Sequence, residues 1–467
     1  MAAEQAKFLT GNLTQHIVTM SLTSAVGFLA LFVVDLVDML FISMLGIDEL
    51  AAAVGYAGTI LFMTTSISIG MGITGGAMVA KSLGQGDSAR ATEVLTHVLM
   101  IGFAFAVVIA SVLYANLHGL TALIGASGET QELAISYLKI LIPTMPVMLV
   151  GIVASAALRS HGAANLSMMV TLVAGVVNAI LDPIFIFVLD LGLDGAAYAS
   201  FAARFAMAGT AVFYLARRYG GFTGLSFAGV LRDFRPIAAI AIPAMLANIA
   251  APVGGAYVTF AASEFGEAAV AGMAVIGRVT PIAFALIFTM SGSIGPIIGQ
   301  NFGAGKHDRV RKAYNSSMVL IVVYVIPVVA VLYLLRGVIA DVFNATGTAR
   351  DLIYLFCGPL SLAWIFNGVI FISNASYNNL GHPFYSTWIN WGRNTLGIIP
   401  FVYVAAHIWG AEGVLIGQMM GGAFAALVAF ILSERLMKKS EQDAIPNLKD
   451  PVFKDHQRAF KITHLRR

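Results

Sequence analysis

AKSLGQGD at residues 80–87 and GQNFGAGK at residues 299–306 are one passage written twice: Gly84 and Gly86 recur as Gly303 and Gly305, 219 positions further on (303 minus 84). Gly162 in RSHGAAN stands opposite Gly381 in NNLGHPF at the same offset, and GLDG from Gly192 matches GAEG from Gly410 at 218. Three separate matches within one residue of a common shift mark an internal duplication, which sets the architecture before any single helix is considered. They also dispose of a decoy. GAGK ending at Lys306 suggests a phosphate loop, but Gln300 stands where the first glycine belongs and His307 where Ser or Thr should be.

Each copy is built of apolar stretches. The 467 residues are 58% hydrophobic and only 11% charged, with mean hydropathy +0.85, whereas a soluble domain carries roughly 25% charged residues. A water-soluble protein is excluded. A helix needs about 20 apolar residues to cross a bilayer, and twelve such stretches can be marked, near 16–44, 52–80, 91–116, 133–158, 164–189, 195–216, 236–262, 269–299, 310–335, 350–378, 384–408 and 412–434. The run from Ile17 to Ile42 is too long for a signal-peptide core and reads as the first span. The fold class is therefore an all-α polytopic membrane protein of 12 transmembrane helices in two six-helix bundles. Six spans is an even number, so both copies cross in the same direction, related by a pseudo-two-fold axis along the membrane normal. The expected division is an N-terminal lobe at 1–220, a basic linker at 221–236, a C-terminal lobe at 237–436 and a basic tail at 437–467.

Charge orients the spans. Of the 27 Lys and Arg, 21 fall in the termini and even-numbered loops, among them Arg217, Arg218, Arg232, Arg235, Lys306 and Arg309. Asp48, Glu49, Glu129, Glu132, Asp190, Asp194, Glu264, Glu267 and Glu412 mark the opposite side. The positive-inside rule places both termini in the cytoplasm of a cell whose inner membrane holds the protein. The net charge of +3 lies in these loops, so nucleic acid is not an expected partner. The lone Cys357 excludes an intramolecular disulfide framework and a cysteine metal cluster.

Ionisable groups inside a span cost about 2.5–3.5 kcal/mol each, so each needs a partner or a purpose. In the first half they are Asp35, Asp38, Asp182 and Arg204, with Lys139 near enough to an end to snorkel; in the second half they are Arg278 and Arg393. Asp38 lies eight residues before Gly46 and Asp182 eight before Asp190, which puts both roughly 12 Å below the outer surface. Asn178 is one turn from Asp182, and Ser200 enters the sixth span at a similar level. Two carboxylates, an amide and a hydroxyl at one depth suit a proton or a small hard cation. Asp35 and Arg204 reach a common level near the midplane and are expected to form an accessory ion pair.

Several passages resemble the multidrug and toxic compound extrusion family, in its DinF-like branch, over about residues 15–436. They are VDMLFISMLGIDELAAA, YLKILIPTMPVMLVGIVASAALRSHG, VVNAILDPIFIF and GLDGAAYAS. Carried over residue by residue, the resemblance implies a cation site at Asp38, Asn178, Asp182 and Ser200, a coupling ion that is H+ or Na+, and no other cofactor. It implies export of organic, cationic, amphipathic compounds by a functional monomer that rocks between two states. This chain departs from the family in two ways. Asp38 maps onto Val258 and Asp182 near Pro400 and Phe401, so the second lobe has no matching carboxylates, and Pro243 maps onto Thr23, so the first span lacks the early proline. A lipid-linked saccharide flippase of the same superfamily is the alternative, since Arg278 and Arg393 could meet an anionic headgroup. An enzyme would need a nucleophile and base or a metal cluster at depth, and no His lies centrally in a span.

Overall fold

The computed structural model describes residues 6–45, 48–224 and 226–444. Gly46, used above to gauge depth, and the tail beyond Ala444 lie outside them. Ten helices are long and apolar enough to cross a membrane, and Glu267–Ala283 with Ala285–Gly303, bent by 47°, makes an eleventh span. The last long helix turns back at Gly410 (φ 60, ψ −137), which resolves it into two and brings the spans to twelve. They are α1 (Leu13–Ser43), α2 (Asp48–Gly84), α3 (Ser88–Ala115), α4 (Gly128–Ser160), α5 (Ala164–Val188), α6 (Gly192–Arg218), α7 (Phe227–Ser263), α8 (Glu267–Ala283 and Ala285–Gly303), α9 (His307–Val342), α10 (Gly347–Cys357 and Pro359–Asn379), α11 (384–409) and α12 (411–444).

The duplicated glycines have a conformational reason. Gly86 and Gly305, Gly162 and Gly381, and Gly192 and Gly410 all adopt positive φ, between 54° and 85°, the region that only glycine enters cheaply. They close the turns at equivalent places in the two bundles. The linker is shorter than its composition suggests. Ser226 accepts a hydrogen bond from the Gly229 amide at 3.1 Å, so α7 starts at Phe227, inside the stretch read as linker. Asp233, in the next turn, holds the start of α7 against α3 through Arg90 and the His97 Nδ1, both at 2.6 Å.

The bundles also trade helix ends. Ile237, Ala241 and Met245 of α7 belong to the apolar core of the first bundle, and Ala25 of α1 belongs to that of the second. α1 itself runs unbroken from Leu13 to Ser43 with no proline, whereas α7 contains Pro236, Pro243 and Pro252.

Contacts between the bundles gather at the end carrying the basic loops. A Cβ on Gly84 would meet the Gln300 carbonyl, and one on Gly303 would meet the Lys81 carbonyl. These contacts are repeat mates, since 81 and 84 shifted by 219 give 300 and 303. A one-turn 3₁₀ segment, Lys7–Leu9, seals the same end. Lys7 Nζ donates to Gly162 O of the first bundle at 2.9 Å. Phe8, 1% exposed, donates its amide to Gln300 Oε1 at 2.9 Å and accepts from Asn301 and Arg309 of the second. Gln300 in turn donates to Ser160 O at 2.7 Å.

Along α1 the face Ser21, Ala25, Phe28, Phe32, Asp35 passes from buried to exposed on moving away from that end, so the bundles part toward the acidic loops and leave a cleft. Truncating a buried aromatic costs about 3–5 kcal/mol. Phe8→Ala should therefore loosen the basic end, raising maleimide labelling of a cysteine placed at the buried Ser82 at least tenfold. Unchanged labelling would show that the segment does not hold the closure.

Candidate cation site

α1 and α5 run side by side in the same direction, and their register can be followed contact by contact. Gly27 meets Met168, Val34 meets Gly175, and beyond them Asp38 meets Asp182 at hydrogen-bonding range. Small residues at the first two contacts let the helices approach closely. Pro183 follows Asp182, and the helix then widens into a π-helical turn, Ile184–Val188, a distortion common at functional sites.

Asp182 is fully buried, and neither of its oxygens finds a donor; Asp38 Oδ1 is likewise buried and unpartnered. Asn178, buried one turn below, has an Nδ2 with no partner. Ser200 of α6 lies beside the buried Tyr137 of α4, which is within electrostatic reach of Asp38, Asp182 and Arg204. The structure thus brings Asp38 and Asp182 into contact and sets Ser200 nearby, beside Tyr137, a residue that nothing in the sequence singles out. Two carboxylates in contact, both ionised, repel by about 5 kcal/mol at an effective dielectric constant near 20. Such a pair calls for a shared proton or small cation, and buried acceptors without donors are its signature. Among the described residues no cluster of three or more His, Cys, Asp or Glu could hold a metal ion.

The expected pairing of Asp35 with Arg204 is not present among the described residues. Arg204 donates instead to Leu141 O at 2.9 Å and Thr144 Oγ1 at 2.7 Å. α4 breaks there into a 3₁₀ turn at Ile142–Thr144, and Pro143 and Pro146 interrupt its backbone ladder, so Arg204 takes up a carbonyl at the break. Asp35 stands exposed on the α1 face that looks across the cleft, about 60° around the helix from Asp38. Beneath it lies a ladder of rings crossing from one bundle to the other. Phe32 packs on Phe28 (4.9 Å), Phe28 stacks on Phe288 (5.5 Å), and Phe288 meets Trp364 (5.3 Å) and Phe371 (5.9 Å). At the position equivalent to Asp38, Val258 is buried in a dry cluster with Ile398, Val402 and Val414, so the second bundle does not repeat the acidic site. Lys139 is exposed, as a snorkelling residue should be.

Two duplicated helical bundles, sealed at one end, parted at the other, and holding unpaired acids at depth define a membrane transporter. The MatE family model matches residues 24–184 and 243–404, and the chain belongs to that family of multidrug and toxic compound extrusion proteins, which are transporters and not enzymes. It is similar to the FAD transporter of Shewanella oneidensis, with 24% identity over 92% of this chain and 96% of that one. It is also similar to the multidrug export protein MepA of Staphylococcus saprophyticus, with 23% identity over 89% and 93%. Among solved structures, a Vibrio cholerae MATE transporter, VcmN, superposes with a TM-score of 0.87 at 25% identity, covering 91% of this chain and 97% of that one.

Proposed function

We propose that the protein exports aromatic, amphipathic compounds in exchange for H+ or Na+, with the basic end in the cytoplasm and the cleft open to the outside. The observation that carries this reading is the contact of Asp38 with Asp182, whose buried oxygens have no donor. A cation arriving through the outer cleft settles between the carboxylates, and its release inward drives the bundles to exchange which end is open. The ring ladder, with Asp35 at its outer edge, is the bed for the cargo. Aromatic faces take flat molecules of many shapes, and an exposed acid favours those that carry a positive group. The named relatives move FAD and drugs, which supports an exporter of small molecules over the flippase alternative. The carried-over assignment of Asp38, Asn178, Asp182 and Ser200 as the cation site, in a chain that works as a monomer, is part of the same proposal.

Everted vesicles given a pH gradient or a Na+ gradient separately, with a cationic rhodamine ester as cargo, test it. One gradient should drive accumulation and the other should not. Accumulation under neither, from protein shown to be folded, would refute the reading. Phe288→Ala should weaken dye affinity by about tenfold while leaving the ion dependence intact, as expected if the ladder holds cargo rather than the coupling ion.

A further inference from the structure

Arg393 is a guanidinium within the second bundle that nothing neutralises. Its Nε is buried without a partner, and no hydrogen bond or ion pair to its other nitrogens is present among the described residues. Among the described side chains the acids of that half, Asp233, Glu264, Glu267, Asp308, Asp341, Asp351, Glu412, Glu434 and Glu441, sit toward the two ends of the bundle, where Asp233 pairs with Arg90, Asp341 with Arg350, and Glu434 and Glu441 with Arg311. A guanidinium set within a span, its Nε out of reach of any acceptor and with no acid to pair it, needs a purpose.

Helix register gives its level. The Ser386 hydroxyl of α11 reaches Asn374 O at 3.3 Å and Asn378 Oδ1 at 3.1 Å on α10. Arg393 lies seven residues further along, two turns or about 10 Å, on the same face. Seven residues back along the antiparallel α10 is Phe371, the last ring of the ladder, packed 5.9 Å from Phe288. Trp364, in the same ladder, also has an indole N–H without an acceptor. A π-helical turn begins at Arg393, as one follows Asp182 in the first bundle.

The geometry points to Arg393 as an oxyanion subsite at the far end of the aromatic bed, so that the transporter takes aromatic cargo bearing a carboxylate or phosphate, with any positive group of the same molecule toward Asp35. This deepens the exporter reading and rests on it. A guanidinium can receive a carboxylate through two parallel N–H bonds, which a lysine cannot copy.

A rhodamine with a free carboxylate and its methyl ester differ by one anionic group and test the subsite in proteoliposomes of phosphatidylcholine. The wild-type protein should bind the free acid more tightly than the ester. Arg393→Gln should raise KM for the acid at least tenfold and for the ester by no more than about twofold, with Arg393→Lys in between. Equal effects on both dyes, or a wild-type protein indifferent to the carboxylate, would overturn the proposal; the wild-type comparison decides alone should the variants fail to assemble. Loss of the preference when phosphatidylglycerol is added would assign the site to a lipid headgroup and also overturn it. Asp38→Asn, run beside these, separates the two claims: gradient-driven export of the ester surviving there contradicts the coupling reading and leaves the carboxylate preference to stand or fall by itself.

Discussion

Asp38→Asn should abolish gradient-driven export and leave a folded protein in the membrane. The amide has nearly the shape of the carboxylate but neither takes up a proton at physiological pH nor attracts Na+ as an anion does. Asp182 then faces a neutral group, the mutual repulsion disappears, and the α1–α5 contact through Val34 and Gly175 is untouched. Thermal stability should therefore equal or exceed that of the wild type. Coupling, by contrast, should vanish. One charge moved through 100 mV supplies about 2.3 kcal/mol, roughly a 45-fold concentration ratio, and the variant should show none of it. Dye accumulation in everted vesicles, with melting temperature measured on the same preparation, checks both halves. Accumulation at the wild-type level would remove Asp38 from the mechanism.

Gly303→Val should be nearly as damaging for a different reason. The Cβ would land on the Lys81 carbonyl, and backbone cannot step aside as a flexible side chain can. Overpacking costs about 1–3 kcal/mol even where side chains relax, and about 3 kcal/mol moves a two-state equilibrium more than 100-fold. The basic end should fail to close, and turnover should fall by a similar factor. Gly84→Val, at the repeat-related contact with Gln300, should do the same. Gly305→Ala is the control: that residue has φ +69 but open space around its Cβ position, so it should destabilise modestly and leave closure intact. Labelling of a cysteine at Ser82 reads the closure directly. A Gly303→Val protein that transports normally would show that the bundles can close without this contact.

Much of this was legible in the chain. The duplicated glycines announced both the repeat and its turns, because positive φ is a requirement that only glycine meets cheaply. Asp38 and Asp182 stood out because an acid in an apolar span has few reasons to exist, and counting turns from the helix ends placed them at one level. Azimuth was not legible. Depth arithmetic brought Asp35 and Arg204 to one height but said nothing of which way each faced, and Arg204 spends its donors on a carbonyl freed where α4 breaks, a partner that bears no charge and leaves no mark in a charge census. Phe28, Phe288, Trp364 and Tyr137 were hidden for the opposite reason. Aromatic residues are common in spans, and only the packing distinguishes a ring on the cleft from one facing lipid. The start of α7 inside the basic linker escaped because its opening turns are held by the charged cluster around Asp233, and charge in a loop reads as solvation.

The claim on which the mechanism turns is that Asp38 and Asp182 bind the coupling ion as one unit. Ion-driven dye accumulation in Asp38→Asn, Asp182→Asn and the double variant, measured in the same vesicles, addresses it directly, since groups acting together lose their function once and not twice. All three variants should fall to the same background. Either single variant retaining coupled export, or a double variant much worse than both singles, would contradict a shared site.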